Sequence, residues 1–491
     1  MSKDLINVTA IADRPLLFVG GDLSGIQKFL YNITSRKAAV SLKGRSRYLV
    51  EVIDDVKNRL LHQPNICQSK VVKDHNHEVY ASGGKFYLIM DDTDAIRNEI
   101  DAFRIVVERE LWVKHKGQLA IHIAYLPFSF NQDSSVNIGE ERKLPLGALW
   151  SHVNRLFSVS KNKKFSTILQ SDFTDFFNIT DVAPNSRICA ITGIESSECV
   201  KLDKDENGEE LYVLPSVKEQ IEIGLRLRNQ EHFKTFEAYA GTTKLGILRM
   251  DVDGLGKVFI KGFSSMRDYQ EFSNKLSEFF EEKLLQIQKS ADFKEYLNII
   301  YAGGDDLFAV GRWDKIIDFA NEVRKAFCKH IQRNDVTISG GIAVVDAKFP
   351  IAKAAAMAGD AEDAAKEYDN GAKNAFNMFG FTLSWKDEFD FVERYKNQFV
   401  DFCQYKNMPR SILHKVMVFA DMKRRNDLSY IWNTSYFLTR FKKDKGNDVA
   451  INNFCNQLEI DLFDTRSKGR SYDLIALAAR WAELTLRIEN N

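Results

Sequence analysis

The feature that most constrains this fold is that the chain repeats itself. Tyr80-Ala-Ser-Gly-Gly-Lys-Phe86 is echoed by Tyr301-Ala-Gly-Gly-Asp-Asp-Leu307. Gly21-Asp22-Leu-Ser-Gly-Ile-Gln-Lys-Phe29 is echoed by Met250-Asp251-Val-Asp-Gly-Leu-Gly-Lys-Val258. The same order of elements surrounds each echo. In the later copy, Leu245–Met250 reads as a buried strand. Phe272, Leu276, Phe279, Leu284 and Ile287 then recur at helical spacing within Met266–Gln288. Strands at Leu297–Ala302 and Leu307–Val310 flank a glycine-containing turn, followed by a helix over Trp313–Gln332 and a strand over Val336–Val345. The earlier copy gives a strand at Pro15–Gly20 and a helical region at Ile26–Ile33 that resumes near Ser46–Leu61. Strands at Glu78–Ala81 and Phe86–Met90, a helix at Thr93–Lys114 and a strand at Gln118–Leu126 follow. Strand–helix–strand–strand–helix–strand is the ferredoxin-like order, so an internal duplication is predicted.

The predicted class is α+β. Residues 1–130 and 241–385 form two ferredoxin-like domains, 131–240 a linker domain, and 386–491 a helical bundle. Helices in the last segment are expected at Asp387–Tyr405, Ser411–Lys423, Val449–Leu462 and Ser471–Ile488, with Ser411 and Ser471 as N-caps. In the linker, the charged run Asp203–Glu210 reads as a solvated turn.

Composition narrows the function classes. The 491 residues are 44% hydrophobic and 28% charged, as in an ordinary globular chain. No run of 18 apolar residues suggests a membrane span, and the first residues lack a signal-peptide core, so a cytoplasmic protein is expected. Lys+Arg and Asp+Glu balance at 68 each, unlike a stand-alone nucleic-acid binder but compatible with one subunit of a nucleoprotein assembly. The cysteines are scattered, which suits a reducing compartment.

The chemistry concentrates in the second copy. Nucleotidyl transfer needs divalent metal held by carboxylates, and Asp305 and Asp306 at a hairpin tip are positioned yet open. Gly303 and Gly304 let the backbone turn and leave room for a triphosphate. Asp251, ending the neighbouring strand, supplies a third carboxylate, and Val252 a backbone carbonyl; Asp253 reads as a turn residue. This is the pattern of a palm-type cyclase or polymerase domain using Mg²⁺ or Mn²⁺. Lys366 and Lys373 are candidate triphosphate contacts, with a solvated helix face as the alternative. The first copy has Gly83-Gly84-Lys85 at its turn, so it cannot hold the same metals, and Asp22 is read as structural. Ser35-Arg36-Lys37 and Lys43-Gly-Arg-Ser-Arg47 make a basic stretch that reads either as an RNA, triphosphate or partner contact or as a solvated loop. Cys189 and Cys199 look like a metal knuckle with ligands missing; zinc is not expected.

These motifs together carry a resemblance. Gly21–Gln27, Ser41–Ser46, Arg249–Gly256, Tyr301–Phe308, Ile338–Ile342 and Ala365–Asn374 are similar to the large palm-containing subunit of type III CRISPR effector complexes, of the Csm kind. The resemblance implies an antiviral, RNA-guided complex with other effector subunits, CRISPR RNA and target RNA as partners. On target binding the palm would join ATP into cyclic oligoadenylates, with Asp251, Asp305 and Asp306 as metal carboxylates and Ser339 on a strand lining the nucleotide pocket. Many members begin with a histidine-aspartate nuclease domain; here the first palm begins near Pro15, so DNA cleavage is not expected. The family's four-cysteine motif is reduced to Cys189 and Cys199. AMP conjugation to another small molecule, a diguanylate-type cyclase and a non-catalytic scaffold remain alternatives.

Overall fold

The computed structural model describes residues 5–34, 36–171, 173, 185–204, 210–241, 243–444, 448–464 and 469–488. The first half contains β1 (Leu16–Ser24), β2 (Glu78–Ser82), β3 (Lys85–Asp91) and β4 (Ala120–Phe130), extended by β5 (Val136–Ile138) and β6 (Glu141–Leu144), in the order β2-β3-β1-β4-β5-β6. Two small hairpins follow, β7 (Arg187–Ile188) with β8 (Glu195–Ser196) and β9 (Val200–Lys204) with β10 (Glu210–Val213). The second half repeats the first sheet's order with β11 (Leu245–Asp253), β12 (Leu297–Gly303), β13 (Asp306–Arg312), β14 (Thr337–Val345), β15 (Ala375–Met378) and β16 (Phe381–Ser384), arranged β12-β13-β11-β14-β15-β16. The predicted duplication of a ferredoxin-like unit is therefore present. Of the predicted charged turn, residues 205–209 lie outside the described residues, as does Ser35 of the basic stretch.

Period-two alternation explains how each sheet is covered. Leu17, Val19 and Leu88 face the helices Ala38–Leu61 and Asp94–His115, while Leu248, Met250 and Leu307 face Met266–Glu278 and Trp313–Ile331. The opposite faces are closed across the duplication. Phe18 and Tyr87 pack on Trp150 of the helix Ala148–Asn162, and Trp150 stacks on Tyr269 of the second half at 4.0 Å. Reciprocally, Ile247, Phe308 and Val310 pack on the helix Ile351–Lys366 and on Leu30, Ala39 and Leu42 of the first half. Gln270 ties the halves further, accepting from Ile6 N at 2.7 Å and donating to Glu78 O at 3.1 Å. Each half thus lends an early helix to the face the other leaves open.

The C-terminal helices are Glu388–Tyr405, Ser411–Arg424, Tyr430–Asp444, Val449–Leu462 and Ser471–Ile488. They share one core with the second palm through Trp385, which stacks on Phe376 at 4.6 Å, and through Phe389 against Trp481. The helix Tyr430–Asp444 was not anticipated. Ser411 is not a cap: Arg410 occupies that position and Ser411 begins the helix. Ser471 likewise begins its helix, with its hydroxyl donating to Asp464 O at 2.9 Å.

The basic stretch is also corrected. Lys43–Arg47 lies inside the helix Ala38–Leu61, which begins well before the predicted Ser46, and is not a loop. Arg45 is 1% exposed and donates to Phe29 O, Asn32 O and Gln220 Oε1. Lys43 donates to Ile299 O and pairs with Glu231 at 2.9 Å. Charged residues are rarely buried without partners, and here backbone carbonyls supply them together with the Gln220 and Glu231 side chains. The reason for the burial is a helix crossing: a Cβ on Gly44 would lie 1.8 Å from Gln220 O, and one on Gly224 2.1 Å from Val40 O. The helix Pro215–Glu231 therefore lies backbone-to-backbone on Ala38–Leu61. Gly44→Ala should lower stability by about 1–3 kcal/mol, the usual range for overpacking, seen as a lower thermal unfolding midpoint. An unchanged midpoint would contradict the crossing.

Candidate metal centre

The register of the second sheet assembles the site. Asp251 on β11 lies opposite Asp306 on β13 and Ser339 on β14. Directly opposed residues share a sheet face, so these side chains emerge together, beneath the helix Ile351–Lys366. That helix comes unusually close: a Cβ on Gly341 would lie 2.3 Å from Glu362 N. The close approach accounts for Gly341 and drives Glu362 onto the carboxylates, whereas a Cβ on Gly340 would meet Met250 Cγ at 2.7 Å. Asp251, Asp306 and Glu362 can each offer an oxygen with all three within 4.8 Å of one another.

Glu362 was not anticipated. The available signal was its i,i+4 spacing to Lys366, which places both on one helix face. Glu362 pairs with Arg249 at 3.0 Å, and Lys366 reaches Asp251 at 2.7 Å and Glu362 at 2.6 Å. Lys366 is thus neither solvated nor free. Burial works against its charge, but Asp251 and Glu362 outweigh it and raise its pKa.

Asp305 stands beside this cluster, not within it. Burial, then repulsion from Asp251, pushes its carboxyl up to about 6. Asp306 is raised further by burial and by Asp305 and Asp251. The turn itself is pinned by its backbone. Val252 N donates to Asp305 O at 3.1 Å, Tyr301 Oη to Gly303 O at 3.2 Å, and Gly304 N to Ser82 Oγ at 3.1 Å. The Val252 side chain points into the core on the opposite face.

Asp253 is not a turn residue. It ends β11, 5% exposed, and its Oδ2 accepts from Thr337 Oγ1, Ser339 Oγ and Asn374 N. Ser339 therefore spends its hydroxyl on Asp253 and accepts from Ala375 N. Lys373 follows with a left-handed φ of 62° and lends its charge to Asp253. Cys189 is buried in the β7–β8 region and Cys199 donates to Arg187 O; neither joins the acidic cluster.

The first palm shows what the same frame does without the carboxylates. Asp22 faces Lys85 on β3 and His122 on β4, the places held in the second palm by Asp306 and Ser339. Lys161, near the end of the covering helix, pairs with Asp22 at 2.6 Å, as Lys366 does with Asp251. Asp22 is thereby neutralised internally.

The second palm fits a divalent cation. Three carboxylates in one cluster and a fourth beside it are faced by Arg249, Lys366 and, at Asp305, Lys85 of the first palm, and carboxylate oxygens of this kind suit hard divalent cations. Burial first, and then repulsion between the carboxylates, raises the pKa values of Asp305 and Asp306.

Residues 244–377 match the family model "Cas10/Cmr2, second palm domain" and residues 15–179 match "Csm1 subunit domain B". The CRISPR system single-strand-specific deoxyribonuclease Cas10/Csm1 (subtype III-A) of Mycobacterium tuberculosis is 24% identical, over 91% of this chain and 64% of its own length. Its counterpart in Enterococcus italicus is 29% identical, over 73% of this chain and 53% of its own length. The chain thus spans between about half and two thirds of these relatives. Among solved structures, a Csm1–Csm4 cassette in complex with pppApA superposes with a TM-score of 0.68 at 19% identity, covering 96% of this chain and 69% of that one. The cassette in complex with cA4 gives 0.66 at 19%, covering 96% and 70%. At such identities these structures speak to the fold, and they agree with the two-palm architecture. With the matched domain models and curated relatives spanning both palms, the chain belongs to the Cas10/Csm1 family.

Proposed function

We propose that this chain is the large subunit of an RNA-guided type III CRISPR complex and that, on target RNA binding, its second palm joins ATP into cyclic oligoadenylates. The observation that carries this reading is the convergence of Asp251, Asp306 and Glu362 beside the pinned Gly303–Asp306 turn. Support comes from the neighbours, whose solved complexes contain pppApA, AMPPNP, cA3 or cA4 together with Csm4. By analogy a Csm4-type subunit, CRISPR RNA and target RNA are the proposed partners. Among the described residues, no helix is long and apolar enough to cross a membrane. The domain limits 1–130, 131–240, 241–385 and 386–491 are proposed with it.

A bound divalent ion would lower the pKa of an attacking 3′-hydroxyl and neutralise charge developing on the α-phosphate. Asp251 and Asp306 would hold it, with Asp305, Glu362 and the Val252 carbonyl as the remaining oxygen donors nearby. Lys366, already among carboxylates, is placed to exchange one of them for a phosphate oxygen, and Lys373 would approach the same triphosphate. Gly303 and Gly304 keep side chains off the nucleotide. Ser339 acts through Asp253, bracing the strand end that presents Asp251. The deoxyribonuclease activity in the relatives' names is separate chemistry and is not proposed for this site.

Asp305→Ala combined with Asp306→Ala should abolish nucleotide product from labelled ATP in the target-bound complex while RNA binding and assembly persist. Undiminished product would overturn the assignment, and a GTP-derived cyclic dinucleotide or an AMP conjugate would replace the product class.

The carboxyl pKa values give a second test. A carboxyl raised in the folded state binds its proton more tightly folded than unfolded. Its contribution therefore favours folding at low pH and declines as pH rises from the ordinary carboxylate range through about 6 for Asp305. Divalent ion compensates the exposed charge, so Mn²⁺ should raise the unfolding midpoint more at pH 8 than at pH 5.5. Asp306→Asn should remove most of that difference. An equal Mn²⁺ effect at both pH values would contradict it.

A further inference from the structure

The turn that carries Asp305 and Asp306 is held from outside its own domain. Its tip meets the tip of the first palm's hairpin: a Cβ on Gly83 would lie 2.7 Å from Gly304 Cα, and one on Gly304 2.8 Å from Gly83 Cα. Both residues have left-handed φ, 60° and 68°, so glycine is required on both counts. Beside this contact Ser82 Oγ accepts from Gly304 N at 3.1 Å. Tyr80 is 9% exposed and lies under the same contact, with its ring centroid 6.4 Å from that of Phe259 of the second palm.

The register makes this bond one-directional. Asp22 opposite Lys85 corresponds to Asp251 opposite Asp306, so Ser82 stands where the second palm has Gly303. Gly303 has no hydroxyl to return to Gly83 N. The palm without metal carboxylates therefore supports the turn of the palm that has them, and receives no equivalent support.

We propose that Ser82 is a positioning residue for the nucleotidyl-transfer centre, orienting the Asp305-Asp306 turn through the Gly304 N–H across the palm interface. This deepens the proposed function and rests on it for its catalytic readout. The retained first palm is then half of the catalytic clamp, and a shift of its β2–β3 hairpin is transmitted directly to the metal carboxylates.

The test uses the full chain for Mn²⁺ titration by electron paramagnetic resonance and the assembled, target-bound complex for ATP kinetics, with Ser82→Ala and Ser82→Thr. Misplacing a catalytic constellation by a fraction of an ångström to an ångström costs roughly 10- to 100-fold in rate. Ser82→Ala should lower kcat by roughly 10-fold or more, with KM for ATP and the unfolding midpoint near wild type. It should also weaken Mn²⁺ binding, and Ser82→Thr, which keeps the hydroxyl, should restore both. Wild-type kcat and Mn²⁺ affinity in Ser82→Ala would overturn the inference. So would losses that follow a fall in unfolding midpoint and are not rescued by threonine. If the wild-type complex makes no nucleotide product, the proposed function fails, while the Mn²⁺ titration still decides whether Ser82 orders the carboxylates.

Discussion

Carboxylates gathered on a buried sheet face repel one another, and the rest of the site is arranged around that repulsion. Asp251 and Asp306 emerge side by side because the register of β11 and β13 leaves them no alternative. Glu362 is pressed onto them by a helix that approaches over Gly341. Arg249 and Lys366 relieve part of the charge, while burial and the remaining repulsion together raise the Asp305 and Asp306 carboxyl pKa values. A divalent cation at these oxygens would offset the remaining repulsion.

The first palm is the control that the duplication provides. With the same strand order and a covering helix in the same place, its single carboxylate, Asp22, is balanced by Lys161 and faced by Lys85. One half has settled its charge internally while the other keeps it available. The halves nonetheless depend on each other, because each closes the other's open sheet face and their hairpin tips meet at paired glycines. A site in the second palm is therefore mechanically linked to the first.

Much of this was legible in the sequence, for identifiable reasons. Alternating apolar residues and two glycine-rich turns marked both sheets, and the adjacent Asp305 and Asp306 next to a strand carrying Asp251 marked the acidic face. What was missed depends on distant backbone. Glu362 acts only because Gly341 admits its helix. Arg45 is buried only because Gly44 and Gly224 let two helices touch, so a run of lysine and arginine looked like surface. Asp253 looked like a turn residue because its three donors come from β14 and the segment after Lys373. Ser82 gave no local signal, since its partner, Gly304, lies in the other repeat.

Crystals of the chain soaked with Mn²⁺ and a non-hydrolysable ATP analogue, measured at the manganese absorption edge, would examine the centre most directly. The expected result is anomalous density between the Asp251 and Asp306 carboxylates, with the triphosphate beside it and Lys366 turned toward phosphate. Nucleotide bound with no anomalous density at these residues, or manganese bound only elsewhere, would contradict a metal-dependent nucleotidyl-transfer centre in the second palm.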